Sequence, residues 1–426
     1  MRHVFTSRLC LLPLLPLLTT LSAGCDLPKD DGAGSDTEGS DSSDPSESDT
    51  GDGTGGTGDG TDTGETGAQP TERAVDIIFV VDNSGSMGEE QARLAASVNS
   101  LVDTLNAAVP PVDYRIAVTT TDNGNPWCQG TSSESGTFRA TSCRERTNEF
   151  VFQGVQEGDV TDEACLDVCA QDSLDLDVPW IDVDGATGSS NVPSGDVTGA
   201  LRCLLPQGID GCGFEQPLES LRTALARVET LGEPNNGFRR PGALLAVAMV
   251  TDEVDCSYNP AHQTIFLPEG NRVFWSNQQD PAPTSALCWN AGVECTGSET
   301  YEECHAADLN IDGNPVAGDP ATDAVLRPLS GYIDELSSEA VYMVAINGVA
   351  DDGSIVYADT ATDPDFQNSF GIGPGCSSSD SGAVPPVRIR QLVETVSGPG
   401  NLHSVCDEDY SPALAALASG ILDRLP

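Results

Sequence analysis

Two stretches of the chain are almost wholly apolar, "VDIIFVV" (75–81) and "ALLAVAMV" (243–250). Runs of this length and content predict strands covered on both faces, as in the middle of a parallel sheet. "DYRIAVTTT" (113–121) and "AVYMVAIN" (340–347) predict two more strands, and "NLHSVC" (401–406) a shorter one. Between them apolar residues recur at helical spacing in "EEQARLAASVNSLVDTLNAAV" (89–109), "FEQPLESLRTALARVETL" (214–231), "LRPLSGYIDELS" (326–337) and "SPALAALASGILDRL" (411–425). Strand and helix alternate, which predicts a doubly wound, mainly parallel α/β sheet with helices on both faces.

Two segments, about 123–193 and 256–325, break this rhythm. They are long, polar and rich in Cys, Gly and Pro, whereas structureless loops of such length are uncommon in compact domains. They read as insertions ordered by disulfides. Twelve cysteines lie in the globular part: Cys128, Cys143, Cys165, Cys169, Cys203, Cys212, Cys256, Cys288, Cys295, Cys304, Cys376 and Cys406. An even count in an exported chain predicts up to six disulfides, with the pairing open. Zinc is the alternative, raised by Cys165-x3-Cys169 and by Cys304 next to His305, but no C-x2-C repeat supports it.

The N-terminal region reads as an address and a tether. Arg2 and Arg8 precede "LCLLPLLPLLTTL", too short for an ordinary membrane span and interrupted by Pro13 and Pro16. "LSAGC" then resembles the lipobox of bacterial lipoproteins, which implies a signal peptide over 1–24 and lipidation at Cys25. An ordinary secretory signal is the alternative. Residues 25–70 are a run of Ser, Gly, Thr and Asp in which thirteen acidic residues face one lysine. Nothing there can offset the entropy of ordering. As a flexible coil it has an r.m.s. span of roughly 35–40 Å. The expected layout is a lipid anchor, a tether, and a globular domain over 71–426. The chain is thus expected to be exported and held in the bacterial envelope, periplasmic or at the cell surface, touching the membrane through the lipid alone.

Charge narrows the partners. The 426 residues carry 67 acidic against 19 basic side chains, a formal net of −48, and Lys29 is the only lysine. Nucleic acid and anionic bilayers both require clustered basic residues, so neither is an expected partner. An acidic surface suits divalent cations, or solubility.

In open α/β sheets ligands bind beyond the carboxyl ends of the strands. The loop that follows "IIFVV" reads "DNSGSM". Asp82, Ser84 and Ser86 offer one carboxylate and two hydroxyls on alternate positions, with Gly85 easing the turn. These hard oxygen donors suit Mg²⁺, Mn²⁺ or Ca²⁺. After the second buried strand, "TDEVDCS" brings Asp252 to the same rim, with Glu253 and Asp255 beside it. The competing reading is a helix cap, since Asp and Ser satisfy free N–H groups at helix starts and "EEQARL" follows.

D-x-S-x-S after a central strand, with an aspartate after a later one, resembles the metal-ion-dependent adhesion site of von Willebrand factor type A domains. "DYRIAVTTTD", "GCGFEQPLESLRTAL" and "TDEVDCS" are similar to the cysteine-rich type A lipoproteins of bacteria. The resemblance covers the core of 75–425 and implies a six-stranded, mainly parallel sheet with one cation at its top. It further implies direct ligation by Ser84 and Ser86, contact through water by Asp82 and Asp252, and an open coordination position for a partner's carboxylate. Mg²⁺ is the first expectation, Ca²⁺ or Mn²⁺ the alternatives. One feature departs from the family pattern. The family's loop threonine is missing from "DGCGFEQPL", where Glu215 stands instead, while Thr198 in "SGDVTGAL" is a second candidate for that place. A carboxylate there adds negative charge and shifts preference toward Ca²⁺.

A second candidate is "DLNIDGNPVAGD" (308–319), with Asp308, Asn310, Asp312 and Asp319 in the order of a calcium loop. It lacks the usual glutamate, and an Asx-turn in a polar insertion is the alternative.

Catalysis finds little footing. The chain has four histidines, His3, His262, His305 and His403, and none of the metalloprotease, nucleophile-elbow or phosphate-loop motifs. Three functions follow in order of expectation. The first is a tethered, non-enzymatic adhesion module that grips an acidic group of a protein or polymer through a divalent cation. The second is an envelope scaffold with a vestigial site, and the third a metal-assisted hydrolase.

Overall fold

The first strand is buried at every position, and on each side of it lies a parallel neighbour. In this computed structural model the described residues are 69–153, 157–298, 300–357, 364–378 and 382–426. They belong to the second of two units, Gly64–Pro426, while the first unit, Met1–Thr63, lies outside them. The expected signal peptide, Cys25 and nearly all of the tether likewise fall outside the described residues.

Among the described residues seven strands form the main sheet: β1 (Ala74–Val81), β2 (Asp113–Thr120), β3 (Ile181–Asp184), β4 (Ser189–Ser190), β5 (Leu244–Val250), β6 (Val341–Asn347) and β7 (Leu402–Ser404). Their spatial order is β7-β6-β5-β1-β2-β3-β4. The five from β7 to β2 are parallel, and β3 and β4 add an antiparallel edge. The expected count of six therefore becomes seven. The reason is local: the segment read as an insertion over 123–193 closes with a hairpin whose strands β3 and β4 pair onto the sheet.

Among the described residues seven helices flank it: α1 (Gly88–Ser97), α2 (Asn99–Asn106), α3 (Val197–Leu204), α4 (Pro217–Glu229), α5 (Leu329–Ser337), α6 (Val387–Ser397) and α7 (Ser411–Arg424). The period of two along β1 sorts them into layers. Val75, Ile77, Phe79 and Val81 pack with Leu94, Leu101, Leu204, Leu414 and Ile421, so α1, α2, α3 and α7 cover one face. Ile78 and Val80 pack with Leu221, Val228, Tyr332, Leu392 and Val393, so α4, α5 and α6 cover the other. The single helix expected over 89–109 is two. At the break the Ser100 hydroxyl donates to the Ser97 carbonyl (3.0 Å), a local bond that competes with the helical ladder. Ser97 in turn bonds Asp409 and the Tyr410 N–H, tying the break to the start of α7.

All twelve cysteines pair: Cys128–Cys212, Cys143–Cys165, Cys169–Cys203, Cys256–Cys288, Cys295–Cys304 and Cys376–Cys406. Cys165, Cys169 and Cys304 are thus joined to sulfur, which removes the thiolates a zinc site needs. The later insertion also has more than disulfides. Phe214, Ile265, Phe266, Trp275, Leu287, Trp289 and Val325 form a third buried cluster with Cys256, Cys288 and Cys304.

Candidate functional site

Across the sheet the parallel strands lie in the order β2-β1-β5-β6-β7, with the chain passing from β1 outward to β2 and then back to β5 on the other side of β1, so the winding reverses between β1 and β5. A crevice opens at the carboxyl ends of the two strands that flank such a reversal. Asp82 follows the last residue of β1, and Thr251 and Asp252 follow the last residue of β5. The Asp82 N–H donates to the Val250 carbonyl (2.9 Å), which holds the two exits together.

The side chains then converge. The Asp82 carboxylate accepts the Ser84 N–H (2.8 Å) on one oxygen and the Thr251 hydroxyl (2.5 Å) on the other. The Ser84 and Ser86 hydroxyls are 3.3 Å apart, and the Ser86 hydroxyl works against burial to favour the ionised Asp252 carboxyl. Asp82 and Ser84 are buried, Asp252 is 6% exposed, and Ser86 faces solvent. This is a rim with its carboxylates inside and one hydroxyl outside. The helix-cap alternative is not what forms, because Met87 holds the N-cap position of α1 and no side chain bonds there. The turn does not depend on glycine either: Gly85 lacks a positive φ, and a Cβ on it would sit 3.7 Å from Phe152, ordinary contact.

Charge is the outstanding property of this rim. Burial pushes the carboxyls of Asp82, Asp252, Glu215 and Glu253 above their usual range. Mutual repulsion adds to it: Asp82 acts on the other three, Asp252 on Glu253, and Glu253 on Glu215. Glu90, at the start of α1, is raised to about 7, first by burial. Arg93 pairs with Glu89 (2.6 Å) and Glu90 (3.5 Å). Among the described residues no ion pair reaches Asp82, Asp252, Glu215 or Glu253. Buried like charges without a counter-ion are costly, so such a cluster calls for protons or a cation.

Of the two candidates for the family's loop threonine, the structure brings one to the rim. Glu215 precedes α4, is fully buried, and accepts the Thr121 hydroxyl on Oε2. Thr198 lies half-buried in the first turn of α3, a helix that packs beside α1, α2 and the 143–150 segment. No bond of the rim described above involves it. Asp255 is engaged elsewhere, by Arg388 (2.8 Å) and the Ser257 hydroxyl (2.5 Å). The Ser285 hydroxyl, from the 256–325 insertion, donates to the Gly213 carbonyl (3.0 Å) and works against burial to favour the ionised Glu253 carboxyl, so that insertion reaches the rim.

Sequence reasoning missed Thr121, Thr251 and Glu90. The two threonines share one signal, since each is the first residue after a parallel strand, the same position that singles out Asp82.

The 308–319 loop is built as a turn. Asn310 Oδ1 accepts the Asp312 N–H (3.0 Å) and the Asn314 N–H (3.1 Å), and Asp319 caps the short helix Pro320–Asp323 through the Ala321 N–H (3.1 Å). Two of the four expected calcium ligands, Asn310 and Asp319, are thus occupied by backbone donors, which is the Asx-turn alternative.

Two buried oxygens at the rim have no hydrogen-bond partner, Asp252 Oδ1 and Glu215 Oε1. Orphaned carboxylate oxygens beside two hydroxyls fit a hard cation in donor chemistry. Among the described residues, however, no three His, Cys, Asp or Glu side chains are grouped so as to hold a metal ion alone. A cation at this rim thus needs hydroxyl and water oxygens to fill its shell.

No protein-family model matches the chain, and no curated protein matches it in sequence. Several solved structures are similar at low identity. The pilus adhesin SpaC from Lactobacillus rhamnosus GG in its open conformation is 12% identical with a TM-score of 0.35, over 84% of this chain and 31% of that one. Proximal thread matrix protein 1 from the mussel byssus is 12% identical with a TM-score of 0.32, over 84% of this chain and 49% of that one. The adhesive tip pilin GBS104 from Group B Streptococcus agalactiae is 13% identical with a TM-score of 0.31, over 83% of this chain and 98% of that one. This chain thus spans about a third of the first of these and about half of the second.

Proposed function

We propose that residues 71–426 are a von Willebrand factor type A domain of an exported, lipid-anchored protein, and that its rim binds a partner through one divalent cation. The observation that supports this most is the linked set Thr251–Asp82–Ser84–Ser86 at the reversal of the sheet, with Asp252 buried on the same rim and, among the described residues, no ion pair to these carboxylates. In this reading Ser84 and Ser86 ligate directly, and Asp82 and Asp252 hold the cation from inside. Once bound, the cation supplies a Lewis-acidic position open to a partner's Asp or Glu carboxylate. Thr251 keeps the Asp82 carboxylate aimed at the rim, as outer partners do around ligated carboxylates. Six disulfides agree with an oxidising compartment outside the cytoplasm.

Binding is favoured over turnover by the surroundings of the two serines. Their hydroxyls face each other at 3.3 Å. Among the described residues His262 bonds the Thr322 carbonyl and His305 faces Glu303, while His403 lies on β7. None of the three supplies a base to Ser84 or Ser86.

Carboxymethyl-dextran is a suitable probe, because a chain this acidic is repelled by a carboxylate surface unless something bridges the two. Retention of the full chain in Mg²⁺ or Ca²⁺ is expected, with release by EDTA, no retention on plain dextran, and none for Asp82→Ala. Retention that survives EDTA and the substitution would instead favour a metal-independent scaffold.

A further inference from the structure

We infer that the rim's partner is a protein surface whose acidic side chain stands among apolar or aromatic groups, and that Phe152 is the residue that selects it. The inference rests on the reading above for the acid and adds the chemistry around that acid.

The loop after β1 is open to solvent over a short length. Asp82, Asn83, Ser84, Met87 and Gly88 are buried, whereas Gly85 and Ser86 are exposed. A partner that reaches Ser86 thus also meets Gly85, and Phe152 stands there. A Cβ on Gly85 would lie 3.7 Å from three adjoining carbons of the Phe152 ring. The ring belongs to the hairpin of Val151–Gln153 and Glu157–Asp159, whose strands pair with each other and, among the described residues, with no other strand. Across that hairpin Phe152 faces Gly158, which has no side chain to cover the ring. Phe152 is half-buried and joins none of the three apolar clusters formed by the described residues.

The base of the hairpin, by contrast, is fixed. Phe150 is fully buried in the cluster that holds α1, α2, α3 and α7, and its carbonyl accepts the Val160 N–H (3.0 Å). Val160 packs against the same cluster beside Gly88. An aromatic ring that is held in place, left uncovered and set beside the open part of the loop is a preorganised contact for an apolar group.

Charge restricts the partner further. At a formal net of −48 the chain repels a densely acidic polymer. A lone carboxylate flanked by apolar groups avoids that repulsion and gains the ring. A second exposed aromatic, Trp127, lies on the loop after β2. The Cys128–Cys212 disulfide beside it ties that loop to the segment whose Gly211 N–H donates to the Asn83 carbonyl (2.9 Å). Both aromatics therefore sit on loops joined to the rim.

Competitive release of the full chain from carboxymethyl-dextran, in Mg²⁺ or Ca²⁺ and at matched ionic strength, tests this with three small acids. Acetate offers the carboxylate alone, galacturonate the same group on a polar ring, and phenylacetate on an apolar one. Wild type is expected to be released by phenylacetate at an at least about five-fold lower concentration than by acetate, with galacturonate no better than acetate. In Phe152→Ala the ratio of acetate to phenylacetate is expected to fall to about two-fold or less. Phe152→Leu keeps apolar bulk without the ring and is expected to keep part of the ratio. It carries the test should Phe152→Ala fail a circular-dichroism check of folding or not be retained. Equal release by acetate and phenylacetate, a ratio unchanged in the folded Phe152 variants, or release led by galacturonate each overturns the inference and leaves the carboxylate site standing. A wild-type chain that is not retained at all overturns it together with the reading beneath it.

Discussion

Asp82 shows how one residue can be legible in function and hidden in environment. Its place just after a central strand marks it as a rim residue, and Asp252 follows by the same rule. What the sequence does not display is how deeply both are buried, or that two threonines, at 121 and 251, orient the acids around them. A lone threonine after a strand has no periodicity or motif to betray it. Glu215 could be located as a departure from a pattern, but that it is enclosed depends on the 256–325 insertion, whose Cys256 folds back onto its carbonyl. The raised carboxyls carry a pH consequence. Glu90 ordinarily titrates near 4.5 and is raised to about 7 in the fold. Between those values the folded chain holds a proton that the unfolded chain has lost, so stability falls as pH rises through the window. Asp82, Asp252, Glu215 and Glu253 push in the same direction. The acids shifted downward, Asp159, Asp184, Asp352 and Asp409, act below 3.8, outside that window. In chelator, therefore, the melting temperature is expected to rise as pH is lowered from about 7.5 to about 5, and Glu90→Gln to flatten part of that slope. A chelated protein most stable at pH 7.5 would contradict the charge reading of the rim.

At the scale of elements, β1, β5 and β6 were readable because buried central parallel strands are apolar nearly throughout, β2 and β7 from shorter apolar stretches, and α4, α5 and α7 because one face of each is apolar. The α6 helix was missed although "VRIRQLVETVS" has helical spacing. It lies between Pro385–Pro386 and Gly398, in a stretch where two arginines dilute the apolar face. Arg388 is nonetheless buried, paired with Asp255. β3 and β4 were hidden for a different reason: short edge strands of polar residues gain their order from β2 rather than from their own composition. The disulfides act at this scale too. Cys128–Cys212 spans 84 residues and ties the loop after β2 to the loop before α4, whereas Cys295–Cys304 spans 9 within a hairpin. Loop entropy predicts that removing the first pair with serines costs about 4.5 kcal/mol and removing the second about 2.5 kcal/mol. Urea unfolding of the two double variants measures both, and a reversed order would show that strain or residual structure outweighs chain entropy.

Across the whole molecule, an excess of 67 acids over 19 basic residues repels anionic surfaces and draws divalent cations toward every face. That general field is screened within about 8 Å at physiological salt. The rim differs from the rest of the surface because its acids are buried, close to one another and unpaired, so screening reaches them least. The fold concentrates this feature at one point by reversing its winding between β1 and β5, where the two best strand predictions of the sequence also end. The most direct measurement is an anomalous difference map from crystals of the full chain soaked in Mn²⁺. The account predicts a peak beside the Ser84 and Ser86 hydroxyls, with Asp82 and Asp252 within direct or one-water reach. Manganese bound elsewhere in the crystal but missing from this rim would contradict it.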